Sequence, residues 1–203
     1  MNAANMTFLE TAISIFFVYN SIGMLPVFVA LLARYNHKRQ VKIILRECII
    51  ALFVLLAFTF FGSRILKSLS ISQSTIGIGG GLLLIIIALN MIFPKEEHVT
   101  KADVPGKEPL IIPLAIPGLA GPGSIAALTV LSNQAGPLLA SGALIVAWVP
   151  SLILLLAATY IKKILGEKGL IAVERLGGML ISFIGIEIFS HGVVQILTDA
   201  FGK

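Results

Sequence analysis

The chain has 203 residues and a net charge of +5, and is 57% hydrophobic but only 12% charged, about half the charged share usual in a soluble domain. Together with a mean hydropathy of +1.00, this excludes a soluble globular fold, and membrane spans of ~20 residues leave no room for a separate catalytic or DNA-binding domain. The basic residues flank apolar runs, where the positive-inside rule accounts for them, so they carry no nucleic-acid signal.

In chain order, the spacing predicts six spans near 11–33, 47–66, 71–93, 110–132, 137–161 and 170–197. The segment 1–10 has no Lys or Arg ahead of the first apolar run. It lacks the basic start of a cleaved signal peptide, so span one is expected to stay in the membrane. That span is interrupted by Asn20-Ser21-Ile22-Gly23-Met24-Leu25-Pro26, with Asn20 ten residues after Glu10 and fourteen before Arg34. At about 1.5 Å per residue, Asn20 falls near the centre of a ~30 Å core.

A basic connection, 34–46, follows, then span two, which contains Cys48, the only cysteine. Span three carries Gly77, Gly79, Gly80 and Gly81, expected to serve close helix packing, and Asn90, expected to bond between helices. The polar stretch 94–109 has three prolines and mixed charge and is the natural linker between two halves, 1–93 and 110–203.

Span four repeats the interruption, as Ala120-Gly121-Pro122-Gly123-Ser124, with Gly121 thirteen residues after Glu108 and twelve before Asn133. Both breaks therefore fall at one depth. Pro150 in span five reads as a kink. Span six holds Glu187 at its centre, followed by His191 and Gln195 at helical spacing. An ionisable residue at that depth is a functional candidate. Glu187 and His191 can carry a proton for ion coupling, or Glu187 can bond to freed backbone. Glu10, Glu47, His37 and His98 fall at span ends or in loops and are expected to be solvated.

Twelve of the fifteen basic residues lie on one side of this topology, which predicts a multi-pass protein of the plasma membrane with both termini extracytoplasmic. Gly23 aligns with Gly123, and Gly80-Gly81 with Gly177-Gly178, the offset drifting from 100 to 97. Three spans per half make such repeats inverted in topology. The predicted fold is thus all-α, with six transmembrane helices in two inverted three-helix repeats and discontinuous first and fourth helices.

Unwound backbone in hydrocarbon is tolerated where it lines a cavity or is buried in protein. Pro26 and Pro122 suit the first turn of a helix, so a half-helix is expected to start near each and turn its positive end toward the midplane. Free N–H groups there suit a carboxylate, and the carbonyls ending the preceding half-helix suit an ammonium group. Gly23, Gly121 and Gly123 are expected to let a ligand approach the backbone. Asn20, Ser21, Pro122 and Ser124 complete the candidate binding set for a small zwitterion. The sequence offers no nucleophile–base pair, metal-ligand set or phosphate loop, which argues against an enzyme and against a cofactor.

The segment 113–125, PLAIPGLAGPGSI, resembles the signature of the MarC-like integral membrane family, and 17–28, FVYNSIGMLPVF, resembles its first-helix motif. Ser21 departs from the pattern, which usually has Pro after the Asn. The resemblance spans essentially the whole chain and implies a six-helix carrier. Some archaeal relatives are described as transporters of small neutral amino acids such as glycine and alanine. The expected function is secondary transport of that class by alternating access, coupled to H+ or Na+. The alternatives are an ion or small-solute channel, or drug or metabolite efflux.

Overall fold

A computed structural model describes residues 7–33, 35–68, 70–93 and 114–201. The expected linker 94–109 and Pro113 lie outside the described residues. Helix α1 (Phe8–Val18) opens with a capping box: the Thr7 N–H donates to Glu10 at 2.8 Å, and the Glu10 N–H donates to the Thr7 hydroxyl. Two residues later the chain resumes as α2 (Ser21–Leu32).

Helix α3 (His37–Ser68) begins ten residues before the expected second span. The Lys, Arg and Gln residues of 38–46 are strong helix formers, so most of the expected basic connection is an extension of the helix. Helix α4 (Gln73–Ile92) is capped by the Ser72 hydroxyl, which accepts from the Thr75 N–H.

A π-helical turn (Leu114–Leu119) leads to α5 (Pro122–Ala135), and Gly136, at φ 87°, turns the chain into α6 (Pro137–Leu156). Helix α7 (Ala158–Phe201) is divided by Gly166, at φ 66° and ψ −176°. Among the described residues, five stretches are long and apolar enough to cross a membrane: Phe8–Leu32, His37–Ile65, Gln73–Ile92, Pro137–Leu156 and Ala158–Phe201. The fourth expected span is absent from that set because its described part is split at Ala120-Gly121.

The most extensive packing is between α4 and α7. The buried residues of α4 are Ser74, Gly77, Gly81, Leu84, Ala88 and Met91 (with Gly80), and those of α7 include Gly178, Ile181, Gly185, Ile188 and Gly192. Both seams step alternately by three and four residues, the spacing of left-handed coiled coils. Gly192 meets Ser74, Gly185 meets Gly81 and Gly178 meets Ala88, so the two helices run antiparallel. A Cβ on Gly81 would lie 2.6 Å from the Gly185 carbonyl oxygen. Small residues let membrane helices approach this closely, since hydrophobicity alone does not join helices in lipid.

On the other side, α1, α2, α3 and α6 enclose a second core around Tyr19, Phe28, Leu55 and Leu144. The Cys48 carbonyl accepts from the Trp148 indole at 2.9 Å and from the Tyr19 hydroxyl at 3.5 Å. At one end of the bundle the Thr159 hydroxyl donates to Gln40, whose amide donates to the Leu32 carbonyl. These bonds bring the basic start of α3 and the Lys162-Lys163 region to the same end.

Candidate functional site

The first break is made by Asn20, whose backbone is left-handed at φ 58°, ψ 28°. Asn is one of the few residues that adopt this conformation readily. The last turn of α1 tightens, with the Asn20 N–H donating to the Phe17 carbonyl at 2.9 Å. The second half-helix starts at Ser21, not near Pro26 as expected; Pro26 lies inside α2. Resetting the chain at Asn20 places the helix start a turn and a half before the proline.

The second break has a different construction. The Ala120 N–H reaches back five residues to the Ala115 carbonyl, Gly121 is extended at φ −82°, ψ 169°, and Pro122 begins α5 as its first residue. Its missing N–H is not needed there.

The two breaks touch. The Ser124 hydroxyl donates to the Val18 carbonyl at 2.7 Å, a buried bond between residues 106 apart in sequence. In an uninterrupted helix that carbonyl would accept from Ile22. Beside the bond lies a cavity of about 430 Å³, to which Asn20, Gly118, Gly121 and Ser124 contribute the polar lining. Val18, Leu84, Ile87 and Ile181 are among its apolar walls. One acceptor at the site is unused: the Asn20 side-chain oxygen is buried without a hydrogen-bond partner, as is the Ser21 hydroxyl.

Of the expected binding residues, the structure gathers Asn20, Gly121 and Ser124 at the cavity. Ser21 is fully buried next to it, and Pro122 is exposed at the start of α5. Gly23 and Gly123 differ from expectation in what they admit. The space in front of Gly23 is filled by the Asn20 side-chain oxygen and by Met91, whose Cε would lie 2.6 Å from an added Cβ. The space in front of Gly123 is filled by Leu84 and Ile87. Both glycines seat neighbouring side chains.

Glu187 and His191 are not brought to the breaks. They bond to each other, Nε2 to Oε1 at 3.0 Å, with 70% and 51% of their side chains exposed. Asn90 is exposed on α4.

Glu47, expected to be solvated, has 0% exposure. Its Oε1 accepts from the Arg46 guanidinium at 2.8 Å, and its Oε2 is buried without a partner. The early start of α3 carries Glu47 onto the buried stripe with Ile43, Ile44, Cys48 and Ala51. That three-and-four spacing is the sequence signal that could have found it. A second hollow, of about 440 Å³, is lined by Lys38, Arg39 and Lys42 at the basic end, away from both breaks.

Comparison with known proteins identifies the family of the chain. The family described as MarC family integral membrane protein matches residues 5–197. The chain is 38% identical over 189 residues to the UPF0056 inner membrane protein YhgN of Escherichia coli K12, covering 91% of this chain and 95% of that protein. It is 37% identical over 190 residues to a UPF0056 membrane protein of Buchnera aphidicola from Schizaphis graminum, with the same coverage. To one of Chlamydia pneumoniae it is 33% identical over 187 residues, covering 91% and 93%. No solved structure matches the chain. A profile match over nearly its whole length, joined to an apolar helical bundle, shows that the chain belongs to the MarC family of integral membrane proteins.

Proposed function

We propose that the protein is a secondary transporter of small neutral amino acids, the glycine and alanine class, working by alternating access. The observation that carries this reading is the meeting of two broken membrane helices at one cavity, joined by the Ser124–Val18 bond. Discontinuous helices at the midplane are where carriers hold zwitterions. The first-turn N–H groups of α5, at Gly123 and Ser124, suit the substrate carboxylate. The unused Asn20 side-chain oxygen suits its ammonium group. The apolar walls suit a substrate whose side chain carries no charge.

The packing supports two inverted repeats. Helix α2 lies against α7 and α6 as α5 lies against α4 and α3, while α4–α7 and α3–α6 pair across the halves. On this reading the basic end is cytoplasmic, both termini are extracytoplasmic, and the membrane is the inner one, as in the name of the Escherichia coli relative. Glu47, buried with one oxygen unpartnered, is the carboxylate we assign to coupling with H+ or Na+.

Counterflow of labelled glycine in proteoliposomes tests the reading. Saturable exchange that alanine competes for is expected. Flux without counterflow would establish a channel instead, and transport of bulky apolar compounds in preference to glycine would establish efflux.

A further inference from the structure

Helix α7 has a face that none of the other described residues covers. Only 22% of its most apolar window is buried, against 50% for Phe8–Leu32. Opposite its glycine seam, Leu180, Phe183, Glu187, Ser190, Val194 and Leu197 step by the same alternation of three and four, and all are exposed. The Leu, Phe and Val positions suit lipid as well as protein and decide nothing.

Glu187 and His191 do decide. Glu187 stands twelve residues after Arg175 and twelve before Asp199. It is level with Gly81, near the middle of α4, because Gly81 touches both Gly185 and Phe189. Half or more of each side chain is uncovered. Their bond to each other uses one carboxylate oxygen and one ring nitrogen of the pair, and hydrocarbon offers the other oxygen and nitrogen nothing to bond. Ionisable residues at this depth face protein or a water-filled cavity. The cavity is on the other side of α7, where Ile181 of the inner seam lines it. Protein beyond the described residues is the neighbour this pair calls for.

We propose that this face is the interface between two copies of the chain. A two-fold axis along the membrane normal sets the α7 helices side by side and parallel, and brings Glu187 of each toward the partner's His191. A foreign partner would have to bring its own acid–base pair at the same depth, whereas a second copy brings one by symmetry. The repeat of about 3.5 residues suits knobs-into-holes packing, and one polar layer in an apolar seam fixes register.

The test uses the full chain in liposomes, with subunits counted by single-molecule photobleaching. Two chains per particle are expected for the wild type. A Ser190→Cys variant should form a disulfide-linked dimer on mild oxidation, and Val149→Cys, exposed on α6, should not. Glu187→His and His191→Glu should each weaken the dimer roughly tenfold, and the double swap should restore it. One chain per particle at every protein-to-lipid ratio would overturn the proposal. So would equal cross-linking at residues 149 and 190, or single swaps that leave association unchanged.

Discussion

The two breaks do the same work by different chemistry. At the first, a single left-handed residue, Asn20, separates α1 from α2, and no proline stands at the new helix start. At the second, a π turn, an extended Gly121 and a first-turn Pro122 act together. Pro122 needs no N–H in the first turn of α5, so that break is set by the extended Gly121 before it and preorganised by the proline. Asn20 holds the first break by a left-handed backbone alone, a conformation costing a non-glycine residue roughly 1–2 kcal/mol. The first break is the adjustable half of the pair and the second is the anchor.

The largest effect is expected where a side chain enters the cavity from the anchored side. Gly121→Val should reduce glycine counterflow at least about tenfold, since its side chain takes space the substrate needs and overpacking of the occupied site costs about 1–3 kcal/mol, while helix content by circular dichroism stays unchanged. Next is Asn20→Ala, for which left-handed backbone costs roughly 1–2 kcal/mol. Thermal unfolding in detergent should show that loss, and Asn20→Gly should show little of it. A more stable Asn20→Ala protein would mean that α1 and α2 fuse readily, and the contrast between the breaks would fail.

Ser124→Ala removes the bond between the breaks and should cost about 1 kcal/mol, as interhelical hydrogen bonds in membranes do. The smallest change should come from Pro122→Ala. A first-turn proline contributes only preset geometry, so stability should move by about 0.5 kcal/mol or less, within the range of a substitution that breaks no contact. A large loss there would mean that proline itself, and not the extended Gly121, holds the second break open.

The existence of a break in the first and fourth spans was legible because Gly and Pro cluster midway along each apolar run. The place of the first break was misread because Pro26 is the louder signal. Membrane helices tolerate an internal proline when neighbours satisfy the freed carbonyl, and a left-handed Asn leaves no mark in composition. The glycine seam of α4 and α7 was visible as close packing at Gly77, Gly80 and Gly81, whereas Gly79 is exposed and packs against nothing described. The direction of Glu187 was not, since a membrane helix is apolar on every side and periodicity cannot separate an inner from an outer face. Glu47 was hidden for the opposite reason: its basic neighbours looked like the end of a span when they were helix.

The carbonyl of Cys48 gives the molecule an optical consequence. It receives the indole of Trp148 and the phenol of Tyr19 on one oxygen, and Tyr19 immediately precedes the adjustable break. Trp148 is the only tryptophan in the chain. Its emission therefore comes from one place, and a rotation at Asn20 that draws Tyr19 away would shift the wavelength or intensity of that light without any added label.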